Sequence, residues 1–92
     1  MININIYSDY ILKCEGKYSY INEYGDFSEG KIDYERELSG SKLIDLIIDS
    51  LHDIGFGSVS FKTNKIEFDE FDPLSGETST YCFIIKENNS HK

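Results

Sequence analysis

The sequence predicts an α+β domain, a mostly antiparallel five- to six-stranded sheet with one amphipathic helix packed on one face. Three observations lead there. Apolar residues recur at helical spacing in one stretch only, Ser39 to Phe56. Most of the remaining chain alternates apolar and polar residues with period two, the pattern of half-buried strands. A chain of 92 residues, 39% hydrophobic and with seven Tyr and six Phe, has enough apolar surface for one core and too little length for a second.

Ile2, Ile4 and Ile6 alternate with Asn3 and Asn5, which predicts an opening strand. Tyr10 to Glu15 and Lys17 to Glu23 read as a hairpin about a Gly16-Lys17 type II′ turn. That register puts Leu12, Cys14 and Ile21 on one face and Lys13, Glu15, Tyr18 and Tyr20 on the other. The polar stretch from Tyr24 to Gly30 reads as a loop. Lys31 to Leu38 follows as a strand, with Ile32, Tyr34 and Leu38 on one side and Asp33, Glu35 and Glu37 on the other; Arg36 is the exception on the apolar side.

In the helix, Leu43, Ile44, Ile47, Ile48, Leu51 and Ile54 form one stripe, and Asp45, Asp49, His52 and Asp53 lie opposite. Ser41 or Ser39 suits the N-cap. Gly55 suits the left-handed C′ position, with Phe56 folding back on the last turn as in a Schellman motif. Two strands are then expected about Thr63-Asn64, Ser58 to Lys62 and Lys65 to Asp69, with Val59, Phe61, Ile66 and Phe68 inward. A loop holding Pro73 and Ser75-Gly76 leads to Thr78 to Lys86, whose Tyr81-Cys82-Phe83-Ile84-Ile85 run, apolar on both faces, belongs in the middle of a sheet. The domain is expected over residues 1–86, with 87–92 a polar, frayed tail and the outer sheet face enriched in Tyr.

No secretory signal and no membrane-length apolar run is legible, so the expected location is cytoplasmic, with Cys14 and Cys82 reduced. Seventeen acidic against nine basic residues give a net charge of −8. That balance disfavours direct nucleic-acid binding and anionic membranes, and it steers the chain toward a basic protein surface.

Chemistry-bearing patterns are few. Cys14 reads as a small core residue and His52 as a solvated helix residue, so they do not make a nucleophile and base. Gly55-Phe56-Gly57 ends a helix instead of opening one and cannot cradle a phosphate. Glu67, Asp69, Glu70, Asp72 and Glu77 form the densest acidic run, but their spacing does not match a calcium loop. No catalytic residue, cofactor or metal ligand is assigned.

What stands out is the order of the carboxylates. Asp45, Asp49 and Asp53 recur every four residues, about 6 Å apart on a helix, and Asp33, Glu35 and Glu37 every two, about 6.7 Å apart on a strand. Like charges at i and i+4 cost about 0.2–0.5 kcal/mol a pair, so such rows oppose the fold that carries them. Tyr18, Tyr20, Tyr24, Phe27 and Phe71 lie between charges and could anchor a partner. The candidate partner-binding residues are the two rows, the acids Glu67, Asp69, Glu70 and Asp72, and the rings of Tyr18 and Tyr20.

A small, strongly acidic chain rich in Ile, Asn, Lys and Tyr, with Asp33-Glu35-Glu37, Asp45-Asp49-Asp53 and Glu67-Asp69-Glu70-Asp72, resembles the phage-encoded inhibitors called anti-CRISPRs in composition and charge pattern. The resemblance implies a non-enzymatic inhibitor, a possible nucleic-acid mimic, that occupies the basic nucleic-acid channel of a bacterial defence nuclease in the host cytoplasm. It transfers no single functional residue. The alternatives are an immunity protein for a toxic nuclease and a module that dimerises through its Tyr-bearing sheet face, the chain being a monomer or a homodimer.

Overall fold

A computed structural model of the protein describes residues 3–88. Its elements are β1 (Asp9–Ile21), β2 (Phe27–Ser39), α1 (Gly40–Asp53), β3 (Ser58–Phe61), β4 (Lys65–Phe71) and β5 (Thr78–Glu87). The fold is α+β, with one helix and a five-stranded antiparallel sheet in the order β2-β1-β5-β4-β3. β5, apolar on both faces, takes the centre as its composition predicts.

Two sequence expectations fail at the start of the chain. Residues 3–8 form no strand; Ile4 packs against the core, and Asn5 N–H donates to the Tyr10 hydroxyl at 2.7 Å. Ile2 lies outside the described residues. The Gly16-Lys17 hairpin is absent as well, because β1 runs unbroken through both residues. Gly16 serves close approach instead: a Cβ there would stand 2.3 Å from the Thr80 carbonyl oxygen and 2.4 Å from Tyr81 Cα. The true hairpin closes at Asn22–Asp26, where the Asn22 side chain accepts from the N–H groups of Tyr24 and Asp26, both at 2.9 Å.

Merging two short strands into one long one changes which residues share a face. Side chains alternate along a strand, so Tyr10, Leu12, Cys14, Tyr18 and Tyr20 all fall on one side of β1. Register places Leu38, Tyr34, Ile85, Phe83, Tyr81, Ile66 and Phe68 on the same side. That side holds the core, in which Leu12, Cys14, Ile66, Phe68 and Phe83 are fully buried, joined by Leu43 and Ile47 of α1. Phe68 stacks on Tyr81 at 4.9 Å and meets Phe83 edge-on at 4.8 Å.

All five strand tyrosines therefore occupy core-side positions, and the outer face, expected to be Tyr-rich, carries Lys, Glu, Asp, Thr and Ser with Ile11, Cys82 and Ile84, and toward one end Ile21, Phe27 and Phe71. Cys14 and Cys82 are free thiols on opposite sides of the sheet, Cys82 half-buried.

The helix begins where its capping residue predicts, with the Ser39 hydroxyl accepting from Lys42 N–H at 3.4 Å. It ends with Gly55 at φ +59°. Phe56 departs from the Schellman expectation: its N–H bonds the Phe71 carbonyl at 3.1 Å and its ring is 80% exposed, so it does not fold back. At the other end of the sheet Glu87 belongs to β5, and Asn88 N–H donates to the Asp9 carbonyl at 2.9 Å; residues 89–92 of the expected tail lie outside the described residues. No helix among the described residues is long and apolar enough to cross a membrane.

Candidate partner interface

β2 positions the first acidic row. It pairs with β1 alone, so it is an edge strand, and alternation turns Asp33, Glu35 and Glu37 to the outer face, where all three are exposed. Charged residues on an edge also discourage unwanted strand pairing. Lys13 stands opposite Glu35 and bonds Glu15 at 2.9 Å. That hydrogen bond, with the charges of Glu15, Asp33 and Glu35 nearby, raises the Lys13 pKa above the usual lysine value.

α1 positions the second row. Asp45, Asp49 and Asp53 are exposed on the element that gives Leu43 and Ile47 to the core. Asp45 and Asp49 share the rim of a groove with Lys42 and with Arg36 of β2. The two rows do not form one surface: the strand row belongs to the face turned away from the core, and the helix row to the element on the core side. A flat partner meets one of them at a time.

The acids of the 67–77 segment separate too. Glu67 and Asp69 alternate onto the outer face, where Glu67 bonds Lys62 at 2.8 Å and its pKa is lowered by that hydrogen bond and charge. Glu70 points to the core side and accepts a hydrogen bond from the Tyr81 hydroxyl. Desolvation raises the Glu70 pKa; the Tyr81 hydrogen bond works against this, while the charges of Asp53 and Glu77 add to it. Burial, with the Glu70 hydrogen bond, drives the Tyr81 phenol well above its ordinary range, opposed by a hydrogen bond from the buried Ser50 of α1. Asp72 is occupied locally, its carboxylate accepting from Leu74 N–H at 2.9 Å. Among the described residues no group of three His, Cys, Asp or Glu side chains is arranged to hold a metal ion.

Cys14 has no base beside it. Burial pushes its thiol pKa up, away from the thiolate a nucleophile needs, and the groups that perturb it are Tyr34, Cys82 and Glu15, whereas His52 is exposed on the last turn of α1. Tyr34 is pushed to about 12, first by desolvation and then by Cys14.

Tyr18 and Tyr20 are partly exposed, as expected, but on the core side of the sheet. Their rings run nearly parallel at 6.4 Å, and the Tyr18 ring lies over Gly30 of β2, where a Cβ would come within 2.5 Å of it. What sequence reasoning missed is that β1, β2, β4 and β5 bring these rings to the same end of the sheet as Phe71 and the 72–77 loop. Ser19 pairs with Thr78, which pairs with Phe71. The outer face holds a shallow depression of about 440 Å³ lined by Glu15, Lys17, Lys31, Glu67, Thr80 and Cys82, in which cations and anions are mixed.

No protein-family model, curated protein or solved structure matches this chain, so its reading stands on its own geometry.

Proposed function

We propose that the protein is a non-enzymatic inhibitor that docks through its carboxylates on the basic nucleic-acid-binding surface of a bacterial defence nuclease and excludes the nuclease's substrate. In this reading α1 covers one face of the sheet and the partner is a basic protein surface, with neither nucleic acid nor membrane contacted directly. One observation carries it: the only ion pairs among the described residues are Lys13–Glu15 and Lys62–Glu67, so none of Asp33, Glu35, Glu37, Asp45, Asp49 or Asp53 forms an ion pair with another described residue. Such exposed rows are free to meet an external partner.

Capture from bacterial lysate at low and at high salt, followed by a cleavage assay on the captured nuclease, tests this. Binding should weaken steeply with salt, since exposed charges are screened within about 8 Å at physiological ionic strength. Reversing one row to Lys should cut affinity at least tenfold with the fold intact. Unchanged inhibition by both the Asp45→Lys/Asp49→Lys/Asp53→Lys and the Asp33→Lys/Glu35→Lys/Glu37→Lys variants rejects the proposal.

A further inference from the structure

The net charge is not spread evenly. Segments 18–30 and 70–79, which the strand register brings to one end of the sheet, hold six carboxylates (Glu23, Asp26, Glu29, Glu70, Asp72 and Glu77) and no Lys or Arg. The other 69 residues hold eleven carboxylates against nine Lys and Arg, a net −2. Three quarters of the protein's excess charge therefore sits in 23 residues.

The same end shows the densest exposed apolar surface. Tyr24 is 82% exposed, Phe27 65% and Leu74 97%; Tyr18 and Tyr20 are partly exposed on the core side of this end, and Phe71 lies with Phe27 on its outer side. These groups are held in place. The tip is tied by Asn22 N–H to the Asp26 carbonyl at 2.9 Å and by the Asn22 side chain. The 72–77 loop is closed by Asp72 N–H to the Glu77 carbonyl at 3.0 Å and Gly76 N–H to the Asp72 carbonyl at 2.8 Å. Pre-formed loops lose little freedom when a partner arrives.

Resting on the basic-partner reading above, we propose that this hairpin end is a further contact of that docking, beside the carboxylate rows, and that its occupant is an arginine-bearing segment of the basic partner. Arginine fits both features at once. Its planar guanidinium stacks on Tyr20, Tyr24 or Phe27 while its N–H groups bond the neighbouring carboxylates, whereas lysine, a hydrated point charge, meets only the charge. A second copy of the chain does not fit, because two such ends repel each other, and an anionic membrane is repelled likewise.

Titration of the isotope-labelled full chain at low ionic strength with a short oligo-arginine peptide, and separately with oligo-lysine of equal length, reads this by amide chemical shift. The expected result is perturbation centred on residues 18–30 and 70–79, with arginine binding several-fold tighter than lysine. Tyr20→Ser/Tyr24→Ser/Phe27→Ser should weaken arginine binding about tenfold while leaving the body amides unmoved. Should that variant lose its dispersed spectrum, Glu23→Gln/Glu29→Gln/Glu77→Gln, which leaves every ring in place, is expected to weaken both peptides. Shifts centred on residues 33–37 or 45–53 overturn this assignment and leave the basic-partner reading standing. Absence of binding by either peptide overturns both. Equal affinity for the two peptides, or undiminished binding by the ring variant, removes arginine as the occupant, and concentration-dependent shifts at this end without peptide make it a self-association surface instead.

Discussion

In the body of the sheet, between the Tyr10 and Gly16 rows, aromatic rings are buried against one another and Lys13 sits among the carboxylates, bonding Glu15 and standing opposite Glu35, although Glu15 itself faces Asp33. At the hairpin end both relations reverse: Tyr24 and Phe27 stand in solvent, and the carboxylates around them have no cation in the same segments. The body satisfies the packing requirements of folding, and the end departs from them with groups that its loops hold in place. Where a small fold keeps exposed rings and unbalanced charge together on ordered backbone, stability is not what selected them.

Equivalent truncations in the two regions should therefore differ sharply. Phe68→Ala, which empties the site between Tyr81 and Phe83, is expected to cost about 3–5 kcal/mol and lower Tm by about 15–25 °C. The same change at Phe27 should stay within about 0.5 kcal/mol. Chemical denaturation of both variants checks the contrast, and a comparable loss at Phe27 would make the end part of the core.

Gly16→Ala tests the boundary between the regions. Its Cβ meets backbone atoms of β5 that cannot rotate away, so a loss of about 1–3 kcal/mol is expected from forcing β1 and β5 apart. A neutral result would show that the strands separate freely.

The smallest expected effect concerns Glu70, where the body passes into the acidic end. Its folded pKa is raised above the ordinary value of 4.5, so its contribution to stability is fully present below that value and is lost as pH rises through the raised one. Glu70→Gln keeps an acceptor for Tyr81 and removes the charge. The variant should be modestly more stable than the parent at pH 7, with the advantage vanishing below pH 4.5; thermal melts across that range decide it.

Much of the fold was legible because local chemistry and tertiary role agreed. Ser39 caps, Gly55 terminates, Thr63-Asn64 turns with Lys62 N–H on the Lys65 carbonyl at 2.8 Å, and β5 takes the centre. Gly16 misled because a glycine required for close contact between strands looks, in sequence, like one required for a turn. That single misreading sent Tyr18 and Tyr20 to the wrong face. Tyrosine gave no correction, since its ring suits a core and its hydroxyl suits water. The acidic rows were legible as rows, but that one lies on the sheet face turned away from the core, and the other on the helix that gives Leu43 and Ile47 to that core, follows from tertiary packing. The charge imbalance of segments 18–30 and 70–79 was visible in each; their meeting depends on pairings between residues 59 positions apart, such as Ser19 with Thr78.

The central position of β5 bears on how the chain acquires its structure. β1 and β2 can zip together locally, and so can β3 and β4, yet neither ribbon has a finished interior until a strand from the far end of the sequence slides between them, aligning Tyr10 with Glu87. Such distant closure delays the rate-limiting ordering step relative to helical domains of similar size. A nascent chain halted before β5 would present two incomplete ribbons with open hydrogen-bonding margins, the form in which this polypeptide is most exposed to proteases and to its own neighbours.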